Sequence, residues 1–158
     1  MADGSDASVE LETLPVPMDG VVTLVDQAVY AARWRPELRH DRIRLLEIDV
    51  AGVDDKPRFF RRVTEALGVE RAPNAADKWS ALEDHLWSAI ATADAPFAVV
   101  VLLHADDLLD GALAELIEMC DIVRSMARMA ATAEGGLARA VEVSLILAGT
   151  GPNFPPGE

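Results

Sequence analysis

Seven consecutive apolar residues, Phe97 to Leu103 (FAVVVLL), set the first constraint on this chain. Three valines in a row, no alternation with polar positions, and Pro96 and His104 at the two ends describe a strand covered on at least one face and flanked by other strands. A membrane span needs about 20 apolar residues, so this run is far too short to be one. A strand of this kind has to be the interior of a sheet.

Two further runs supply its neighbours. Ile43 to Val50 (IRLLEIDV) ends at Gly52, and Val141 to Leu147 follows Gly135-Gly136. Both are rich in Ile, Leu and Val. Asp54 or Asp55 is placed to cap a helix with Pro57 in its first turn, running to Leu67 and closed by Gly68, with Phe60, Val63 and Leu67 as its buried stripe. Asp77 to Ala91 and Asp106 to about Ala133 are helical by periodicity, the second bent or divided near Gly111. The order strand, two helices, strand, a long or split helix, strand leaves crossovers long enough for parallel pairing. The expected fold is α/β: a three-stranded parallel sheet packed with helices.

The flanks read differently. Residues 1–18 are small, acidic and aperiodic, which implies a mobile tail. Residues 19–42 read as an N-terminal helical extension: Val21, Val25, Ala28 and Ala32 keep helical spacing, Asp19 is a cap and Pro36 an end, although Val-Val-Thr-Leu-Val also suits a strand. Residues 43–149 form the domain proper, and 150–158 a flexible Pro/Gly tail. A chain of 158 residues is long enough for one core.

The formal net charge is -13 and there is one cysteine, Cys120. Such acidity opposes general nucleic-acid binding and suits a basic protein partner. A lone cysteine makes no internal disulfide, and the acidic first residues lack the pattern of a secretory signal, so a cytoplasmic location is expected. No cofactor and no metal are implied. Arg33, Arg35, Arg39, Arg42 and Arg44 are the one cationic concentration, but Glu37, Asp41 and Glu47 are interleaved and only Trp34 is near enough to stack a base, so a solvated linker is the expectation.

The segment Asp77 to Ala91 (DKWSALEDHLWSAIA) offers a surface to be read from outside. Trp79, Leu82, Leu86 and Ile90 form its buried stripe. At about 100° per residue the opposite side carries Asp77, Ser80, Asp84, Trp87 and Ser88: two carboxylates, two hydroxyls and an indole on one face.

From Ile43 to Gly149 the chain resembles the barstar family of ribonuclease inhibitors. The fragments that carry the likeness are IDVAGVDDKPRFFRRVTEALGV, WSALEDHL, VVVLLHADDL and VEVSLILAG, in the family's order. The resemblance implies a barstar-like fold and a non-enzymatic protein whose helix 77–91, with the loop before it, plugs the active site of a basic ribonuclease. The outward face and the resemblance together give the partner-binding candidates Asp77, Lys78, Ser80, Asp84 and Trp87. Asp84 falls on the second of the family's two aspartates. Ser80 stands at the first, Lys78 where an asparagine is usual, and Ala76 at a loop glycine, while Ala81, Leu82 and Leu86 agree at positions taken as buried.

Two other readings remain open. The stripe Met119, Ile122, Met126 and Met129 adds apolar surface beyond what a one-sided helix needs, and suits a scaffold face or a homodimer. Asp49, His104, Asp106 and Asp107 fall at the carboxyl ends of strands, where open α/β sheets place ligands, but they make neither a complete metal set nor an activated nucleophile.

Overall fold

The computed structural model describes residues 11–69, 77–133 and 136–156. Its centre is a parallel sheet of four strands, not three: β1 (Val22–Asp26), β2 (Ile43–Asp49), β3 (Phe97–Leu103) and β4 (Glu142–Gly149), in the order β1-β4-β3-β2. β3 has the predicted bounds and lies inside the sheet, in register with β2 from Ile43↔Phe97 to Asp49↔Leu103. The added strand is β1, which pairs with β4 from Val22↔Leu145 to Asp26↔Gly149.

Helices cover both faces, which is why β3 has no polar alternation. Ala98, Val100 and Leu102 join Val143, Leu145, Leu147, Leu46 and Ile48 against α3 (Lys56–Leu67), α4 (Trp79–Thr92), α5 (Asp106–Gly111) and α6 (Leu113–Ala131). Val99 and Val101 face the other way, with Ile146 and Ala148, onto Tyr30, Trp34 and Leu38.

Those last three belong to a continuous helical run, α1 (Gln27–Val29), a π-helical stretch (Tyr30–Trp34) and α2 (Arg35–Leu38). The expected helix over 21–32 is thus corrected at both ends. Its first residues are β1, its cap is Asp26, which accepts from the amides of Ala28 and Val29, and Pro36 opens α2 rather than ending the helix. Proline has no N–H to bond four residues back. The turn widens, the Arg35 N–H reaches Tyr30 O, and the wider turn keeps Tyr30, Trp34 and Leu38, four apart, on one buried side.

α3 follows its sequence signals closely. Asp55 accepts from the Arg58 amide at 2.9 Å, Pro57 lies in the first turn, and Gly68 closes the helix at φ 70°. The long helix breaks at Ala112, one residue after Gly111.

The tails are anchored more than composition implies. Of the expected mobile segment, residues 1–10 lie outside the described residues, but Leu14 and Val16 are buried under the α1–α2 side of the sheet. Phe154 is buried too, and Pro155 O accepts from the Asp26 amide at 2.7 Å, so residues up to 156 do not form a free tail. A Cβ on Gly149 would come within 2.8 Å of Phe154 Cζ and 2.9 Å of the Asp106 amide, which explains the glycine there.

Candidate functional site

α4 begins after a residue in extended conformation, Lys78, whose carbonyl accepts from the amides of Ala81 and Leu82. The Lys78 side chain makes no cap bond to it. What fixes it is packing: Leu82, Leu86 and Ile90 are buried, and Trp79 closes its amino end with its ring 4.8 Å from Phe60 and 5.8 Å from Phe59. Lys56 Nζ lies over Phe60 and Trp79, at 5.5 and 5.7 Å from the ring centres, so one cation is held at this corner.

The outward side is narrower than periodicity suggests. Lys78, Ser80, Asp84 and Ser88 are exposed as expected, while Asp77 is half-buried. Trp87 is half-buried and packs against the core, so it borders the face instead of standing on it. Ala81, taken as buried, is exposed, and so is Ala91. The result is a ridge of small residues, Ser80, Ala81, Ser88 and Ala91, around one carboxylate, Asp84. Side chains this short let a partner approach the helix backbone closely. The preceding loop, with Pro73, Asn74 and Ala76, lies outside the described residues.

The methionine face is core. Met119, Ile122 and Met126 are buried with Leu116, Val123 and Ala130, and of the expected stripe only Met129 is exposed. The large apolar residues α6 does expose are Leu113, Ile117 and Met129.

At the carboxyl end of the sheet a polar knot forms. Gln27 Oε1 accepts from the His104 amide at 2.7 Å, which leaves Gln27 Nε2 to donate to His104 Nε2 at 3.1 Å. His104 therefore carries its proton on Nδ1 and donates it to Asp49 Oδ1 at 2.9 Å. Asp107 accepts from the Gly52 amide, Asp106 from Thr150, and Arg62 donates to the carbonyls of Asp49 and Ala51. These bonds tie the ends of β1, β2 and β3 together. Gln27, from the segment read as an extension, and Arg62 are members that no sequence signal marked. Among the described residues no group of three or more His, Cys, Asp or Glu is placed to hold a metal ion.

The Asp49 carboxyl lies below its ordinary value: partial burial pushes it up, but the Ala51 amide, His104 and Arg62 outweigh that. A carboxyl with a depressed folded value contributes stability above its unfolded pKa of about 3.9 and loses it as pH falls through the folded value. Asp49→Asn is therefore expected to be slightly less stable than the parent near neutrality, by under about 1 kcal/mol for so exposed a group. Urea titrations should show that gap closing below about pH 4.

On the other face, the buried Tyr30 hydroxyl and Arg35 Nε both donate to Glu47 Oε2, the latter at 2.7 Å. Burial, then Glu47, raises the Tyr30 pKa far above the ordinary phenol, so it remains a donor. This triad fastens the α1–α2 run to β2.

The architecture is that of an α/β protein with a four-stranded parallel sheet covered by helices. No family model matches the chain. No curated protein matches it either. Among solved structures, that of the Aeropyrum pernix ORC1 protein in complex with DNA is similar, at 16% identity and a TM-score of 0.50. The match covers 87% of this chain but 34% of that one, so it bears on the fold alone. Among the described residues no helix is long and apolar enough to cross a membrane.

Proposed function

We propose that this chain is a barstar-like binding protein, not an enzyme, which masks a basic partner, a ribonuclease, with the exposed ridge of α4 and acts in the cytoplasm. The observation that carries the reading is Asp84, exposed at the centre of a helix face whose neighbours are too small to obstruct approach. The order β2, α3, α4, β3, α5–α6, β4 and the fragment WSALEDHL agree with it. A carboxylate there meets the cations of a site built to hold phosphate, and the net charge of -13 steers a basic protein toward it. Ser80 offers a hydrogen bond where the family has charge, and Lys78 opposes a cationic partner, so the interface rests on Asp84 more than on an acidic pair.

The test is direct. The protein is mixed with small basic ribonucleases, including any encoded beside it, and RNA cleavage is followed. Undiminished cleavage by all of them rejects the proposal. Asp84→Ala is expected to weaken a positive interaction by about tenfold or more, with the loss greatest at low salt, where charge attraction is least screened. Titration calorimetry at two salt concentrations measures both.

A further inference from the structure

Among the described residues β2 lies at the edge of the sheet and pairs with β3 alone. Its free side can be assigned atom by atom. Arg42 O accepts from the Phe97 amide and Val50 N–H donates to Leu103 O, so even-numbered residues of β2 turn their backbone groups toward β3. In a parallel ladder the odd-numbered residues then face outward. The Ile43 amide is taken by His40 O, and the Asp49 carbonyl by Arg62. The amides of Leu45, Glu47 and Asp49 and the carbonyls of Ile43, Leu45 and Glu47 remain without a partner among the described residues.

Arg44 lies on that edge strand and Arg42 just before it, and Arg33 and Arg39 belong to the helical run that leads into it. All four are exposed, and none makes a side-chain hydrogen bond or ion pair among the described residues. Arg35, by contrast, is committed to Glu47. Glu37 and Asp41 are the exposed acids of the same stretch, so the cations outnumber them. Unpaired arginines in a chain of net charge -13 mark a place where negative charge is wanted. Edge cations ordinarily blunt pairing between identical strands. A second β2 would set Arg42 and Arg44 against their own kind, whereas an acidic strand meets no such repulsion. Single-stranded RNA would need a stacking platform, and the aromatic rings here, Tyr30 and Trp34, are buried.

We propose that the free edge of β2 binds an acidic, extended polypeptide segment, which adds as a fifth strand and places its carboxylates against these arginines. This surface uses elements other than the α4 ridge, and the proposal stands whether or not a ribonuclease is the partner there.

The probes are a fluorescent decapeptide of alternating Glu and Val, its Lys-for-Glu counterpart, and a labelled oligouridylate, each titrated against the full chain by anisotropy. The acidic peptide should bind, and the lysine peptide should not. Hydrogen exchange should slow at the amides of Leu45, Glu47 and Asp49 on binding, with little change at Arg44, Leu46 and Ile48, which already face β3. The double variant Arg42→Glu, Arg44→Glu, checked for unaltered circular dichroism, should lose about tenfold in affinity or more. Absence of peptide binding, binding without protection at those three amides, equal binding by the variant, or tighter binding of the oligouridylate would each overturn the proposal.

Discussion

A chain shortened to begin at Ile43 is expected to lose cooperative unfolding. The cut removes β1, which covers the edge of β4 from Leu145 to Gly149, and the helical run that roofs one face of the sheet. Val25, Tyr30, Trp34 and Leu38 leave with it, and each is at most 4% exposed in the intact protein. Burying an apolar side chain of this size contributes about 1.5–3 kcal/mol, and the whole stability of such a domain is about 5–15 kcal/mol. Four losses of that size approach the total. They also uncover Ile43, Phe97, Val99, Val101, Ile146 and Ala148, a continuous apolar sheet face. Far-UV circular dichroism on heating should show a broad transition or none, and the shortened chain should bind a hydrophobic dye. A sharp transition within about 5 °C of the full chain would mean that residues 19–42 are an appendage after all.

That boundary shows where the sequence stops being informative. β3 and α3 were legible because their signals are local: an unbroken β-branched run, and an aspartate, a proline and a glycine at the ends of an amphipathic stretch. β1 was not, for two reasons. Its burial alternates, with Thr23 and Val25 inside and Val22 and Leu24 half-covered, while Val21, Val25, Ala28 and Ala32 happen to repeat at helical steps. Its partner, Leu145 and the residues after it, is also remote in the chain, and no local pattern encodes a pairing of that length. The anchoring of Leu14, Val16 and Phe154 is hidden in the same way, since single apolar residues among prolines and glycines carry no period. On α4, spacing located Asp84 and Ser80 on the outer side. It misjudged Trp87 because a ring at the boundary of a face folds down onto whatever apolar surface lies beside it.

Phe59→Ala is the point change with the largest expected effect, and it bears on the site as well as on stability. Phe59 is fully buried, with its ring 6.4 Å from that of Phe60 and 5.8 Å from that of Trp79. Truncating a buried phenylalanine costs about 3–5 kcal/mol, part of it from the cavity left behind, and aromatic pairs of this geometry add about 0.5–1.5 kcal/mol. Urea denaturation should report a loss in that range. The second effect is local: Lys78 gives α4 no side-chain cap bond, so the packing of Trp79 on Phe59 and Phe60 bears on its first turn. Amide exchange at Ala81 to Asp84 should therefore speed up more than exchange in β4, under conditions where most of the variant remains folded. Phe59→Leu, which retains most of the volume, should lose under about 1.5 kcal/mol and leave that turn protected. Equal acceleration in α4 and β4 would point to global unfolding alone. In that case the aromatic corner would have no special part in presenting Asp84, and the orientation of the ridge would have to come from Leu82, Leu86 and Ile90.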